Sequence, residues 1–423
     1  MKLGLRSANM PGIARAMLDS GLNMALRGLT LASKFFLMVY LAKVLPPEQL
    51  GVYGLFTVTI SYALYFCGLD FYTYAQREML SLPRDQWGTI IRNQFAFYGV
   101  VYLVVLPLLL LVFVAGVLPW QMIGWFYLLL TLEHLSQELS RLLVACGKVT
   151  LTNIVLFFRS GAWVFAVIAI YRYNPDIDEL WPIWTGWSCG VAFSMLIAIY
   201  AVRRLVGQLP AKVPIDWHWI RKGLKTAGQF LVGTLALRGL FTFDRYFLDL
   251  YAGKSAVGVY SFYMSFANAM MAFADAGIIS KMYPKIVVAY RTGRYEEYKD
   301  NLKKLGMGII ALYFSCLLVL LVVVKPVLHY IGKDIFSSQI GILWVLLAAM
   351  AVYSLSLIPH YALYAHGSDR QITFASVFAL FIFVISAIFL TPSYGTVGIS
   401  FSIFISMVGL LAIKGEIARR AHV

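Results

Sequence analysis

Five cations interrupt apolar stretches of this sequence: Arg27, Lys34, Arg159, Arg238 and Arg245. A charged side chain at the centre of a bilayer costs about 2.5–3.5 kcal/mol on insertion scales, so each must face a partner or a polar cavity. Arg27 and Lys34 stand seven residues apart and therefore on one helical face; Arg238 and Arg245 repeat that spacing, with Thr242 and Asp249 on the same face. If the two helices face each other, four cations line one cavity. Its chemistry would be phosphate binding, because guanidinium forks hold phosphate oxygens bidentately, and it would repel cationic solutes. The competing reading pairs Arg245 with Asp244 and Asp249 and leaves Arg27 at a membrane interface. A second polar stripe places His134, Glu138 and Arg141 on one face, with Glu133 and Gln137 beside it. Folding the chain back about residue 147 brings Arg159 level with residue 135, positioned to pair with Glu133 or Glu138. Such a pair is either a structural ion pair or a carboxylate whose protonation answers to substrate. Asp70 and Asp275 read as helix caps or partners of basic loop residues.

The elements that hold these groups follow from composition. Of 423 residues, 61% are hydrophobic and 13% charged, with a mean hydropathy of +0.77. At about 20 residues per span, twelve spans take about 60% of the chain and leave connections too short for a soluble catalytic domain. Apolar runs and polar breaks place spans near 20–44, 50–69, 90–115, 121–145, 149–171 and 183–205. Six more follow near 226–251, 256–282, 305–328, 338–364, 371–391 and 395–415. The expected architecture is an all-α polytopic membrane protein: a six-helix lobe over 1–206 that includes a short cytoplasmic segment 1–19, a basic cytoplasmic linker 207–225, and a second six-helix lobe over 226–423. No signal-peptide core and cleavage site precede Ser20, so no removal is expected, and residues 10–19 are expected to lie along the surface.

A net charge of +15 on a soluble protein would suggest nucleic acid; here membrane topology accounts for it. Twenty-five Lys and Arg fall on the N-terminal side of the spans, five opposite (Lys43, Arg172, Lys254, Lys325, Lys333) and five inside spans. Both termini are therefore expected in the cytoplasm. Trp87, Trp120, Trp125, Trp181, Trp184, Trp187, Trp217 and Trp219 fall near span ends, as interfacial anchors do. Cys67, Cys146, Cys189 and Cys316 have no paired spacing, and the six histidines form no HExxH or Cys/His cluster, so neither a disulfide framework nor a metal or other cofactor is expected.

The chain also repeats itself. Ala25-Leu26-Arg27-Gly28-Leu29 recurs as Ala236-Leu237-Arg238-Gly239-Leu240, and Lys34-Phe35-Phe36-Leu37 aligns at the same offset with Arg245-Tyr246-Phe247-Leu248. Leu50-Gly51-Val52-Tyr53 matches Val257-Gly258-Val259-Tyr260, and Ala145-Cys146-Gly147 matches Ala365-His366-Gly367. Six plus six helices in the same order and orientation are parallel repeats about an axis along the membrane normal, an organisation found in transporters that rock two halves about a central site.

The sequence resembles the polysaccharide transporter branch, the O-antigen and exopolysaccharide repeat-unit flippases, of the multidrug/oligosaccharidyl-lipid/polysaccharide exporter superfamily. The resemblance spans the whole chain and rests on Leu41-Ala42-Lys43-Val44-Leu45-Pro46-Pro47-Glu48-Gln49-Leu50-Gly51-Val52-Tyr53, on Asp244-Arg245 followed by Ala256-Val257-Gly258-Val259-Tyr260, and on Met282-Tyr283-Pro284. It implies two pseudo-symmetric six-helix lobes around a cavity lined by spans 1, 2, 7 and 8, in the bacterial inner membrane, which alternates between cytoplasmic and periplasmic openings. It also implies a substrate, an oligosaccharide on undecaprenyl pyrophosphate whose lipid tail stays in the bilayer, and neighbours in a polymerase and a chain-length regulator. On this reading Arg27, Lys34, Arg238 and Arg245 bind the head group, Arg77 makes a first contact at the cytoplasmic mouth, and Tyr53, Tyr260 or Tyr263 contacts sugar. Glu133, Glu138 or Asp244 carries a coupling proton, within a set of ion-pairing groups that includes Arg141, Arg159 and Asp249. No catalytic residue is expected. The alternatives are a drug or metabolite antiporter of the same superfamily, which the basic stripes oppose, and a polymerase or ligase of lipid-linked sugars, which the short outer loops oppose.

Overall fold

The computed structural model describes residues 12–206 and 214–421, and the described residues contain helices and no strand. Helices α1 (Gly12–Val44), α2 (Pro47–Gly68), α3 (Trp87–Leu108), α4 (Ile123–Ala145), α5 (Val149–Tyr173) and α6 (Trp181–Val206) form the first half. A continuous helical stretch, Trp217–Ala274, bends at Gly253 (φ 78°, ψ 174°) into α7 (217–252) and α8 (254–274). Then come α9 (Tyr295–Ile331) and α10 (Gly341–Ala365). A second long stretch, Asp369–Arg420, turns at Gly395 (φ 52°, ψ −124°) into α11 (369–394) and α12 (396–420). Both turning points use dihedrals that only glycine adopts freely. Nine described helices are long and apolar enough to cross a membrane. Two of the nine are the doubled stretches, and α4 joins them as a span burdened by its own charges, which gives twelve.

Helices of alternating direction put both described chain ends at one face, the basal face; the other is the distal face. The helix of α1 begins at Gly12 and runs unbroken into the span, so 12–19 form its first turns; residues 1–11 lie outside the described residues. Similarly, 207–213 of the expected linker lie outside them, and 217–225 already form the first turns of α7. Asp216 caps that helix, its Oδ1 accepting from the Trp219 amide at 2.9 Å.

Outer faces stay apolar and uncovered, as at Leu103, Val322 and Phe389. A patch of that kind in water would be an aggregation liability, and in a bilayer it is the face turned to lipid. Of the eight span-end tryptophans, Trp120, Trp181 and Trp217 are exposed, whereas Trp87 and Trp184 are buried and Trp219 packs on Phe71 and Tyr74. Those three are packing residues and not interfacial anchors. Pro359 breaks α10 three residues ahead of itself, at Ser356, where the first piece ends and the second begins.

The internal repeat has a structural meaning at two of its matches. Gly147 and Gly367 both adopt φ 75° at helix ends, where Lys148 N donates to Leu143 O and Ser368 N to Leu363 O, the same left-handed termination in each half. Gly51 and Gly258 meet each other: α2 and α8 cross there so closely that a Cβ on Gly51 would overlap the Lys254 carbonyl, and one on Gly258 would overlap the Pro47 carbonyl. This backbone crossing closes the distal end. Lys333 reinforces it, its Nζ donating to Ala42 O at 2.9 Å and Leu45 O at 2.5 Å at the end of α1, while Lys43 lies 3.7 Å over the Tyr330 ring.

Candidate functional site

Beneath the distal closure lies a central cavity of about 410 Å³, lined by α1, α2, α7 and α8 with Trp187 from α6. Lys34 of α1 and Arg245 of α7 reach it, as do Tyr53, Thr57 and Ser61 of α2 and Ser261, Ser265 and Asn268 of α8. The small polar residues recur at helical spacing on two otherwise apolar spans (57, 61; 261, 265, 268), a signal present in the sequence that charge-based reading passes over.

The two cations differ in circumstance. Arg245 is buried and satisfied: its Nη1 donates to both Asp244 carboxylate oxygens at 3.0 Å and to Phe241 O, its Nε to Ser261 Oγ, and Tyr260 OH donates to Asp244 Oδ2 at 2.7 Å. Asp249 instead pairs with Lys254. Lys34 is exposed to the cavity and forms no hydrogen bond or ion pair among the described residues. Tyr260 and Tyr263 are fully buried, with Tyr263 OH bonded to Phe336 O, so neither reaches a ligand, and of the three tyrosines Tyr53 alone lines the cavity.

Behind the wall formed by Trp187 is a buried ion pair. Glu133 accepts from Arg159 Nε at 2.6 Å and from Trp187 Nε1 at 2.6 Å. Arg159 stands in a π-helical turn of α5, Phe158–Ala162; the extra residue in that turn aims it across the helical hairpin at α4. The pair ties the cavity wall to the helical hairpin, and it is near enough to Lys34 to act on its charge.

Arg27 and Arg238, the repeat partners of each other in sequence, are not brought into this cavity. Arg27 Nε donates to Asn153 Oδ1 of α5 at 3.1 Å, and Asn153 in turn donates to Asn23. Arg238 lines a second cavity, about 260 Å³, nearer the basal face, together with Asp70, Tyr65, Gln137 and Arg141. Ser61 borders both cavities. Asp70 makes no cap; it hydrogen-bonds Thr234 of α7 and faces Arg141 and Arg238. Glu138 is buried among Gln94, Tyr98 and Arg141, with His134 Nε2 4.0 Å away and Tyr102 on the other imidazole nitrogen. Arg77 projects from the short helix Tyr72–Ser81 at the basal face, within electrostatic reach of Tyr283. No group of three or more metal-ligating side chains occurs among the described residues.

Alongside the central cavity, on the outer side of α1 and α8, runs an apolar groove of about 340 Å³ completed by α9 residues Ser315, Cys316, Val319 and Val323. Leu31, Phe35 and Ala269 border both spaces, so a polar chamber and an apolar groove share one wall.

The sequence matches the family model for a polysaccharide biosynthesis protein over residues 19–287, which includes every helix lining the central cavity. The chain belongs to the polysaccharide biosynthesis protein family. No individual curated protein matches it in sequence. Among solved structures, this polysaccharide biosynthesis protein is similar to the lipid II flippase MurJ in an inward closed conformation, with 13% identity and a TM-score of 0.71 over 95% of this chain and 87% of that one. It is also similar to an inward-facing multidrug resistance MATE family transporter of the MOP superfamily, with 13% identity and a TM-score of 0.69 over 96% and 98%. The outward-facing form of a multidrug resistance MATE family transporter gives 12% identity and 0.61 over 96% and 95%. At these identities the likeness shows the fold.

Proposed function

We propose that this protein is a flippase for oligosaccharide repeat units on undecaprenyl pyrophosphate, moving them from the cytoplasmic to the periplasmic leaflet of a bacterial inner membrane. The reading takes the basal face as cytoplasmic, because the basic residues crowd there. The observation that carries it is the shared wall: a substrate with a charged, hydroxylated head and a polyprenyl tail needs a polar chamber for one and an apolar lateral groove for the other. Lys34, which forms no ion pair among the described residues, supplies a positive charge for the diphosphate; Arg245 offers the remaining donors of a guanidinium already balanced by Asp244. Thr57, Ser61, Ser265 and Asn268 present hydroxyl and amide groups for sugar. On this reading the close crossing at Gly51 and Gly258 belongs to an inward-facing state, and the two halves rock to break it and release substrate outside. No covalent step is required.

A second reading, an antiporter of drugs or metabolites, draws support from the charge balance: the Asp244–Arg245 pair leaves the central cavity with one unbalanced cation and not four. Transport separates the two. Purified protein in liposomes should move a fluorescent lipid-linked oligosaccharide diphosphate between leaflets, and Lys34→Ala should abolish that movement. Efflux of a cationic dye with no movement of the lipid would establish the antiporter instead.

A further inference from the structure

The basal cavity lies outside the central chamber of the proposed function, and it holds Arg238, which the family resemblance assigns to the head group. It joins three helices of both halves: Ser61, Leu64, Tyr65 and Gly68 of α2, Gln137 and Arg141 of α4, and Arg238 of α7, with Asp70 just beyond α2. Two arginines face one space, an arrangement that repels itself unless anions balance it. The protein supplies those anions internally. Asp70 lines the same cavity within electrostatic reach of both guanidinium groups, with no ion pair to either, and Glu138 holds Arg141 from behind. Arg141 is fixed for the purpose, stacked 3.4 Å over the Tyr72 ring, and Arg238 lies 5.7 Å over Tyr65.

Backbone strain points to the same residue. Leu69 and Asp70 have φ of 46° and 51°, left-handed values that cost a side-chain-bearing residue free energy and persist where surrounding structure insists on them. Among the described residues these are the non-glycine positions with positive φ. Their effect is to turn the chain off the end of α2 and bring Asp70 to the cavity that the two arginines line. A buried carboxylate that lies beside two guanidinium groups without pairing with them leaves their donors open to another anion. An anion with two charges and a fork-matching geometry binds both guanidinium groups at once, and Asp70 then loses the charges that keep it ionised.

We infer that this basal cavity is a second anion site, which receives a diphosphate group at Arg141 and Arg238 ahead of the central cavity, with the neighbouring Asp70 taking up a proton as the anion arrives. The inference rests on the flippase reading for the source of the diphosphate and stands apart from it as a binding site. The groups that face Asp70 are Arg141 and Gln137 from α4, with Glu138 beyond Arg141, Thr234 and Arg238 from α7, Tyr65 from α2 and Tyr72 from the short helix. Burial already pushes the Asp70 carboxyl up despite the nearby cations, and an anion that neutralises those cations pushes it further in the same direction. From here Ser61 opens onto the chamber that holds Lys34, and the diphosphate moves from one cationic station to the next.

The test is calorimetric titration of the full-length protein in nanodiscs with inorganic pyrophosphate, in two buffers of different ionisation enthalpy so that proton uptake is counted. Wild type should show two classes of site; Lys34→Gln should remove one and Arg238→Gln the other, with at least a tenfold loss of affinity. Asp70→Asn should bind at the Arg238 class about tenfold more tightly and lose the proton uptake that wild type shows. Arg141→Lys keeps the charge beside Glu138 but removes the fork, and should weaken the same class. Farnesyl diphosphate in the nanodisc should compete with pyrophosphate for the Arg238 class, which identifies a lipid head group as its occupant; absence of competition overturns the substrate assignment. Unchanged binding in Arg238→Gln, or unchanged affinity and proton uptake in Asp70→Asn, overturns the site. If pyrophosphate binds as described while lipid-linked diphosphate is never transported, the flippase reading fails and the site stands.

Discussion

The crossing of α2 and α8 is the place where a single methyl group should change what the protein does. Alanine at Gly51 puts a Cβ against the Lys254 carbonyl and 3.2 Å from the Gly258 amide nitrogen; alanine at Gly258 meets the Pro47 carbonyl and sits 3.1 Å from the Gly51 nitrogen. Both sets of obstructing atoms are backbone, so no rotamer change relieves them and the helices must part. Overpacking of this kind costs about 1–3 kcal/mol. The cost falls on the distally closed state alone, because in a distally open state the helices are already apart. Since about 1.4 kcal/mol is a factor of ten, the closed-to-open ratio should fall by roughly 5- to 150-fold. Gly54 is a graded comparison: its Cβ would overlap the Ser261 hydroxyl, which can rotate away only by giving up its bond from Arg245 Nε, and would sit 3.1 Å from Ser261 Cβ with no backbone atom in the way, so Gly54→Ala should shift the ratio less. The assay is the labelling rate of a cysteine at Thr57, just inside the closure, by a membrane-impermeant maleimide added from the distal side, in a background whose native cysteines are serine. Gly51→Ala and Gly258→Ala should each raise that rate about tenfold. Unchanged labelling in correctly folded Gly51→Ala and Gly258→Ala protein, or a larger effect from Gly54→Ala, would refute the claim that this crossing seals the distal end.

Further outcomes follow from other contacts. Lys333→Met removes two charged hydrogen bonds to the end of α1, worth about 1.5–3 kcal/mol each before desolvation is repaid, and should raise Thr57 labelling in the same assay, additively with Gly51→Ala if the two contacts act independently. Glu133→Ala leaves Arg159 buried without its partner and should lower thermal stability by about 3–5 kcal/mol. The same change frees the Trp187 indole, which a red shift of its fluorescence would report; an unshifted melting curve would place the pair outside the stabilising core. For Asp70 the folded state holds the proton more tightly than the unfolded chain, so its contribution to stability is full below the ordinary carboxylate pKa and is lost as pH rises through the elevated value. Melting temperature of ligand-free protein should therefore fall as pH climbs from about 4 toward neutrality. Asp70→Asn should flatten that slope and raise the neutral-pH melting temperature; an unaltered slope would assign the pH dependence to another group.

Much of the architecture was legible because it depends on quantities that a sequence carries directly. Apolar run length sets where the chain crosses a bilayer, and the repeat at Gly51 and Gly258 marked a shared feature of the two halves before its crossing was visible. Pairing by helical geometry also reached Arg159 and Glu133, since a hairpin about residue 147 leaves few alternatives. The four cations at repeat positions are the contrary case. Arg27 and Arg238 occupy equivalent places in sequence, yet one bonds Asn153 within its own half and the other faces Asp70 and Arg141 across the boundary between the halves. Repeats preserve the direction a side chain takes from its helix; they say nothing of what the neighbouring helix brings to meet it. Asp70 reads as a cap from its position after a span, and its true surroundings depend on a left-handed turn that no spacing announces.

The sequence by itself thus determined that this is a helical membrane protein of twelve spans with charges it cannot leave in lipid, because hydrophobic length and the cost of burying ions are properties of the residues. Tertiary structure alone decided which charges are neutralised and which is left facing the cavity. Asp244 balances Arg245, Glu133 balances Arg159, and Lys34 has no ion-pair partner among the described residues, because an ion pair is made by two side chains arriving at one point from separate helices.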